Sequence, residues 1–276
     1  MTKQWSYQSA RGAWKRWRFV RNGMRPWTNG YLEYKQREIQ RALQEKSFCA
    51  KQLPRGYGFR LDERIIEYPW FFSRLPPGHG RLLDAGSTLN FEFVLEQPAL
   101  RDKKIDICTL APEARCFWRK GVSYMYEDLR ALPYRDELFD WIVCLSTIEH
   151  VGMNNALYSG SHENEESRAH DYLRAVLELK RVLKFGGILY LSAPFGKAAN
   201  LGWYQVFDRA MVEKTIQAFE PRNAEQSYFH YREDGWQSCE PNDAAGATVF
   251  DIHSAKDYDP DFAAAARAVF CLELTK

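Results

Sequence analysis

The stretch R-L-L-D-A-G-S, residues 81–87, decides the fold that this sequence predicts. Its apolar pair has the length of a short buried strand, Asp84 closes that strand, and Gly86 follows at once. Over residues 90–96 the apolar side chains recur at helical spacing. Strand, glycine turn and helix form the first unit of a nucleotide-binding α/β sheet, because glycine lets a backbone approach a ligand and a helix N-terminus attracts negative charge.

Strands and helices alternate after this unit. The predicted strands are residues 104–110, 122–126, 140–146 and 188–192, the predicted helices are residues 169–183 and 208–219, and residues 184–187 are predicted to be the turn before the last strand. Residues 228–232 and 269–274 are expected to form a closing antiparallel hairpin. This order predicts an α/β fold with a doubly wound, mostly parallel sheet that binds ligands at the carboxyl ends of its strands.

The N-terminal part of the chain has a different character. Residues 1–60 are predicted to be a basic, aromatic extension, and residues 61–276 the main domain. No acid precedes Glu33, and the glycines and prolines of this part are expected to break any long amphipathic helix; a polar helix is predicted at residues 31–46, and residues 61–75, at the start of the main domain, are a second helix candidate. The extension is interpreted as a cap over the site or a contact in a homo-oligomer. Contact with an anionic membrane surface or a phosphorylated acceptor are the alternatives.

Composition limits the classes of partner and compartment. A net charge near +2 over 276 residues gives no field for nucleic acid, so no nucleic-acid partner is predicted. Six cysteines without a C-x-x-C pair or zinc spacing favour a reducing cytoplasm. Since the sequence has no run of membrane-spanning length and no signal-peptide core, a soluble cytoplasmic protein is predicted.

Four motifs carry a resemblance to a known family. They are D-L-R-A-L-P-Y at residues 128–134, F-D-W-I-V at residues 139–143, I-E-H-V at residues 148–151, and L-E-L-K-R-V-L-K-F-G-G at residues 177–187. In this order, residues 81–219 resemble the class I S-adenosylmethionine-dependent methyltransferases, in the broad group with a Glu-His pair after the fourth strand. The resemblance implies a Rossmann-like sheet of the seven-stranded methyltransferase type, with S-adenosylmethionine as cofactor.

The resemblance also implies a cofactor site. Asp84 and Gly86 would lie under the methionine part of the cofactor, Asp128 would accept from the adenine amino group, and the Leu129 backbone would contact the adenine edge. The full set of predicted cofactor-binding residues is Asp84, Gly86, Ser87, Thr109, Asp128, Leu129 and Ser146. For Asp84 the alternative is an acid satisfied by nearby backbone N–H groups, and for Asp128 it is a local Asx turn.

Two departures from the family pattern bear on cofactor binding. Thr88 and Asn90 occupy positions where the family's loop has glycines, so their side chains narrow the approach. Thr109 stands where the family has an acid that grips the ribose, and a hydroxyl replaces a bidentate carboxylate there. Asp106, three residues earlier, or Glu113, reaching back, are the alternative sources of that carboxylate.

The chemistry expected at the site is an in-line displacement at a sulfonium methyl group. His150 is the candidate general base, because it follows the fourth strand and imidazole titrates in the right range, and Glu149 would orient it or cap the next helix. The alternative is that His150 fixes the loop or packs on the cofactor. The acidic loop of residues 154–167 is interpreted as a solvated lid rather than a Mg²⁺ site, so no metal is predicted.

The acceptor is predicted to be a hydroxyl group. The Asn/Asp-Pro-Pro-Tyr signature of base and glutamine methylases is missing after the fifth strand. Trp203 and Tyr204 in the loop of residues 196–207 suit a sugar ring or an aromatic acceptor, although core packing explains Trp203 equally well. O-methylation of a small-molecule or glycan-linked hydroxyl is therefore predicted; the alternative is a non-catalytic S-adenosylmethionine-binding or scaffold protein with a degenerate site. A nicotinamide oxidoreductase is disfavoured, because G-x-G-x-x-G is absent.

Overall fold

A computed structural model describes residues 2–45, 48–251 and 253–276, and its centre is an eight-stranded sheet. In chain order the strands are β1 (Gly80–Ala85), β2 (Lys103–Thr109), β3 (Ser123–Tyr126), β4 (Phe139–Leu145), β5 (Leu183–Pro194), β6 (Ala199–Asn200), β7 (Gln205–Val206), β8 (Asn223–Arg232), β9 (Gly235–Cys239) and β10 (Ala268–Thr275). The helices are α1 (Thr2–Arg21), α2 (Tyr31–Glu45), α3 (Arg64–Arg74), α4 (Glu92–Leu95), α5 (Ala156–Ser159), α6 (Tyr172–Val182), α7 (Arg209–Phe219) and α8 (Pro241–Ala244).

The sheet has the order β3-β2-β1-β4-β5-β10-β8-β9. Strands β1 to β5 run parallel, and β10 lies antiparallel between β5 and β8. The predicted doubly wound, mostly parallel Rossmann-like sheet is thereby confirmed. Counted across the sheet from β3 to β8, its seven strands have the methyltransferase order. The chain crosses from one side of β1 to the other before β4, which makes the carboxyl ends of β1, β2 and β4 the topological switch point where ligands bind.

One edge strand escaped the sequence analysis. β9 pairs antiparallel with β8. The two predicted C-terminal strands are β8 and β10, which pair antiparallel with each other, but β9 lies between them in the chain. Gly235 begins β9 with a φ of +117°, and a Cβ there would come within 2.5 Å of Tyr57 O. The tight connection from β8 therefore requires glycine at this position.

Apolar side chains cover both faces of the sheet. Leu83 and Ala85 face one core, with Tyr172 and Val176 of α6. Leu82 alternates to the opposite core, which includes residues of α1 to α3. Because successive strand residues point to opposite faces, β1 is buried on both sides, as the consecutive apolar residues Leu82 and Leu83 predict.

The predicted turn at residues 184–187 was wrong. β5 begins at Leu183, directly after α6, and Leu183 already pairs with Phe139 of β4. The register between the two strands shifts between Phe139 and Trp141, and Gly186 there has a φ of +75°. The glycines thus form an irregularity inside the strand rather than a separate turn.

The N-terminal extension is more helical than expected. α1 runs through Gly12 without a break, so the expectation of a broken helix was wrong there, and the chain turns only at Gly23, whose φ is +82°. α2 agrees with the predicted helix, whose last residue, Lys46, lies outside the described residues. Among the described residues, no helix combines the length and apolarity needed to cross a membrane.

Contacts tie this extension to the main body. Phe19 of α1 and Tyr31 of α2 are buried in the core that covers one face of the sheet. Trp27 Nε1 donates to Ala264 O at 2.6 Å, and Tyr258 Oη donates to Pro26 O at 2.7 Å. The first and last parts of the chain therefore pack on each other.

Candidate active site

A cavity of about 380 Å³ lies at the carboxyl ends of β1, β2 and β4. Its volume falls in the range of about 300–1,000 Å³ found for small-molecule sites. Six of the predicted site residues line it, and they are Gly86, Thr109, Asp128, Leu129, Ser146 and His150. The other three, Asp84, Ser87 and Glu149, are buried residues that are not among those lining the cavity.

Asp84 is fully buried beneath the glycine turn. Its Oδ1 accepts from Thr88 N at 3.1 Å and from Thr88 Oγ1 at 3.0 Å, and its Oδ2 accepts from Leu89 N at 2.7 Å. Burial raises the pKa of Asp84 to about 7, against these hydrogen bonds, which lower it. The carboxyl group therefore orders the turn from inside, as the alternative interpretation from sequence proposed.

Gly86 has a structural reason to be glycine. Its φ is +117°, and a Cβ there would lie 2.1 Å from Thr147 Oγ1. The turn after β1 thus meets the turn after β4, and the glycine admits the Thr147 side chain at the floor of the cavity. Ser87 follows with a φ of +64°, and its buried Oγ has no hydrogen-bond partner among the described residues.

The side chains of Thr88 and Asn90 leave the cavity open. The Thr88 hydroxyl turns back to Asp84, as described above, although the residue contributes to the lining. Asn90 Nδ2 donates to Glu113 Oε2 at 2.9 Å, and Asn90 Oδ1 accepts from Tyr124 Oη at 2.8 Å. The two side chains that replace glycines are therefore held by hydrogen bonds to the turn and the neighbouring loop, outside the space of the cavity.

The end of β2 carries no carboxylate toward the cavity. Thr109 lines it, whereas Asp106 accepts two hydrogen bonds of 2.9 Å from Arg81 Nη2 at the flank of β1. Of the two alternatives for the ribose acid, Asp106 is thus engaged elsewhere. Glu113 lines the cavity and is held by Asn90, so it is the carboxylate available on this side.

Asp128 is held by an arginine two residues later. Its Oδ1 accepts from Arg130 N at 2.7 Å, and its Oδ2 accepts from Arg130 Nη2 at 2.6 Å. Burial alone would raise the pKa of Asp128, but the hydrogen bonds from Arg130 lower it below its ordinary value. The same guanidinium pairs at 2.7 Å each with Glu166 of the predicted lid and with Asp171, the residue before α6, so the lid is bound to this wall of the cavity.

The lid acids have further partners of their own. His162 pairs with Glu165 at the surface. Within the described parts of the chain, no group of three or more His, Cys, Asp or Glu side chains is arranged to hold a metal ion.

Sequence reasoning missed a buried polar network at the end of β4. Glu67 of α3 is fully buried, and its Oε1 accepts from Ser146 Oγ at 2.5 Å and from Ser192 Oγ at 2.6 Å. Arg64 pairs with the other oxygen of Glu67 at 2.7 Å, donates to Leu145 O at 3.0 Å, and lines the cavity. One signal was available, since Glu67 is an acid inside the apolar run of residues 65–72.

His150 ends a short 3₁₀ helix after β4 (Ile148–His150), and its ring lines the cavity. Its Nδ1 lies 2.9 Å from Trp203 O. Because a carbonyl oxygen only accepts, Nδ1 carries the proton and Nε2 is the unprotonated nitrogen of the neutral ring. Burial lowers the pKa of His150 to about 4, so the neutral ring prevails at physiological pH.

Glu149 does not hold the imidazole by a hydrogen bond. Its Oε1 lies 3.9 Å from His150 Nε2, and its buried Oε2 has no partner among the described residues. Burial raises the pKa of Glu149 well above its usual value, which favours the protonated carboxyl group. The carbonyl group of Trp203 therefore fixes the tautomer of His150. It takes the place that was predicted for Glu149 in orienting the imidazole ring.

Aromatic rings surround His150. Its ring centroid lies 5.2 Å from that of Tyr158, 5.5 Å from that of Trp203 and 5.8 Å from that of Tyr204. Tyr158 also lines the cavity. The rings come from α5 and from the loop between β6 and β7. The two segments predicted to cover the site, residues 154–167 and 196–207, therefore meet at His150.

The charges of the lining suit a sulfonium nucleoside. Four carboxylates (Glu113, Glu127, Asp128 and Glu166) and two guanidinium groups (Arg64 and Arg130) face the cavity, so its wall carries two more negative than positive charges. S-adenosylmethionine carries a sulfonium and an ammonium group against one carboxylate. The residues present therefore fit the cofactor in size and in sign of charge.

The match to a known family falls on the same elements. Residues 105–191 match the family model described as a methyltransferase domain, a segment that includes Thr109, Asp128 and His150. With the strand order of the sheet, this match supports a class I S-adenosylmethionine-dependent methyltransferase, with S-adenosylmethionine as its cofactor. A comparison with curated protein sequences finds no match to the chain.

Solved methyltransferases have similar backbones. A possible histamine N-methyltransferase from Thermotoga maritima is 15% identical, with a TM-score of 0.48 over 87% of this chain and 99% of that one. The 1,6-didemethyltoxoflavin N1-methyltransferase of Burkholderia thailandensis, bound to S-adenosylhomocysteine, is 13% identical, with a TM-score of 0.45 over 76% of this chain and 77% of that one. Phosphoethanolamine N-methyltransferase 2 of Haemonchus contortus is 12% identical, with a TM-score of 0.49 over 75% of this chain and 52% of that one.

Proposed function

We propose that this methyltransferase methylates a hydroxyl oxygen of a small-molecule or glycan-linked acceptor, with His150 accepting the hydroxyl proton. The main support for the proposal is the tautomer of the His150 ring. Trp203 O holds the proton on Nδ1 and leaves the lone pair of Nε2 free on a ring that lines the cavity. A hydroxyl needs such an acceptor as it attacks, whereas a neutral amine attacks without losing a proton first.

The bound cofactor supplies the electrophilic methyl group. The chain's own residues then have two tasks, which are to position the acceptor and to take up its proton. His150 is neutral above a pH of about 4, so Nε2 is ready to accept at physiological pH. Burial opposes the imidazolium that forms, and Glu149, with Oε1 3.9 Å from Nε2, is itself favoured in its neutral form by burial.

The aromatic rings support a ring-shaped acceptor. Tyr158, Trp203 and Tyr204 surround the imidazole and offer flat apolar faces to a sugar or an aromatic ring.

The six cysteines are all free thiols, which supports the expected location in a reducing cytoplasm.

A second candidate is a non-catalytic protein that retains the fold as a scaffold. Two observations favour it: Asp128 is already occupied by Arg130, and the end of β2 offers Thr109 in place of a carboxylate. A scaffold of this kind would bind donor weakly or not at all, and no acceptor would receive its methyl group.

The test is a methyl-transfer assay with labelled donor and a panel of sugar, phenol and amine acceptors. With a hydroxyl acceptor, we expect His150→Ala and His150→Gln to lower turnover by about 10²- to 10⁴-fold while donor affinity changes little. His79→Ala is the matched control, because this exposed histidine precedes β1 at the opposite edge of the sheet. Transfer to amines only, or turnover of both His150 variants within severalfold of wild type, would contradict the proposal. No transfer to any acceptor favours the scaffold.

A further inference from the structure

The outward face of α1 carries exposed tryptophans. Trp14 and Trp17 are 53% and 56% exposed, and Val20, three residues further on, is 49% exposed. Their spacing places all three on one side of the helix. Indole side chains are rarely left in water in this number on one helix, so this face is suited to an interface.

The opposite face of α1 is already used. Phe19 is buried, and its ring lies 5.9 Å from that of Tyr31 and 5.3 Å from that of Tyr34 on α2. Lys15 pairs with Glu33 on the same side. The helix is thus anchored to the body by its inner face, and the tryptophans are not needed for that packing.

The exposed tryptophans are accompanied by arginines. The Arg18 guanidinium lies 5.5 Å from the centroid of Trp14, and that of Arg21 lies 5.2 Å from the centroid of Trp17. No acidic residue occurs in the chain before Glu33. The surface is therefore apolar and positively charged at once. Seven of the 38 basic residues and none of the 36 acidic residues precede Glu33, so the rest of the chain is net negative by about 5 charges although the whole protein is at +2.

We propose that this face of α1 docks on an anionic phospholipid bilayer surface. Tryptophan is favoured at the boundary between headgroups and acyl chains, and arginines beside it reach lipid phosphates while their stems stay on the apolar side. Val20 fits the acyl boundary and would gain nothing from a nucleic acid, which argues for lipid over a polynucleotide. This inference goes beyond the acceptor chemistry proposed above and does not depend on it.

The test is co-sedimentation of the full chain with vesicles. We expect binding to vesicles that contain phosphatidylserine, little binding to phosphatidylcholine alone, and weaker binding at high salt. W14S/W17S should weaken binding by roughly tenfold for each indole. R18Q/R21Q should weaken it by about fivefold for each charge.

Matched controls come from a second exposed pair elsewhere in the chain. Trp118 is 63% exposed with Arg119 5.0 Å from its ring centroid, so W118S and R119Q remove similar groups and should leave vesicle binding unchanged. Thermal unfolding checks that each variant is folded. The proposal is overturned if wild type stays in the supernatant, if the α1 variants bind as well as wild type, if neutral vesicles bind equally, or if a duplex or single-stranded oligonucleotide is bound in place of vesicles.

Discussion

His150 and Asp84 are both displaced toward their neutral forms by burial. The pKa of His150 is lowered to about 4, and that of Asp84 is raised to about 7. The two displacements affect stability in opposite directions. A histidine with a lowered pKa stabilises the fold above its unfolded value near 6.5 and loses that contribution as pH falls toward 4; an aspartic acid with a raised pKa loses its contribution as pH rises toward 7.

These opposed effects define a prediction for His150→Gln. The free energy of unfolding of wild type minus that of the variant should be constant above about pH 6.5 and fall by about 3 kcal/mol between pH 6.5 and 4. Taking the difference removes the contribution of Asp84, which both proteins share. Urea unfolding at a series of pH values measures it, and two curves that stay parallel across this window would contradict the lowered pKa of His150.

Glu67 is the residue on which the network behind the cavity depends. Its carboxylate serves Arg64, Ser146 and Ser192 at once. Glu67→Ala leaves a guanidinium and two hydroxyl groups without their acceptor, so we expect it to cost about 3–5 kcal/mol of unfolding free energy. Glu45→Ala, an exposed position on α2 that is 3.8 Å from Arg41, should change stability by less than about 0.5 kcal/mol. Equal effects of the two substitutions would show that the network is unimportant.

At the scale of single elements, α7 illustrates a boundary fixed by local sequence. Asp208 precedes the helix with extended backbone, and its side chain accepts from Met211 N at 2.9 Å. We expect Asp208→Ala to lower the free energy of unfolding by about 1 kcal/mol, because one N–H group at the start of the helix loses its partner. Glu213→Ala on the same helix, exposed and paired with Arg209 at the surface, is the control and should have a much smaller effect. The prediction fails if the two variants unfold at the same denaturant concentration.

The elements that sequence predicted well are those with strong local signals. β1, β2 and β4 each contain a short apolar run, and α7 has its capping acid, so each was placed to within a few residues. α1 was misjudged because a single glycine at position 12 costs only about 1 kcal/mol in a helix, and the anchor at Phe19 is a contact with α2 that local sequence does not reveal. β9 was missed because its pairing depends on β8 already lying at the edge of the sheet.

The same distinction applies to the site. Gly86, Thr109, Asp128 and His150 were located because each ends or follows a recognisable strand, and all four line the cavity. Arg64 escaped notice, since it reaches the cavity only through contacts with residues about 80 positions later in the chain. The tautomer of His150 likewise depends on a carbonyl 53 residues away.

For the molecule as a whole, the division between residues 1–60 and 61–276 stays a prediction. Several contacts join the extension to the main domain. Trp27 and Pro26 are hydrogen-bonded to the segment before β10, and Tyr31 is buried over the sheet. Such packing couples the N-terminal helices to the body, so the outward face of α1 has a fixed position relative to the active site. A membrane contact there would hold the cavity at a constant distance from the lipid surface.

The central claim is that the cavity at the carboxyl ends of β1, β2 and β4 binds the methyl donor, and calorimetric titration with S-adenosylhomocysteine tests it most directly. Wild type should bind one equivalent, and Lys104→Trp, at an exposed position of β2, should bind equally well. Thr109→Trp, at the cavity end of the same strand, should weaken binding by roughly ten- to a hundredfold, because the indole occupies the space of the ligand. A wild type that takes up no ligand, or a Thr109→Trp variant that binds as tightly as Lys104→Trp, would contradict the assignment of the site.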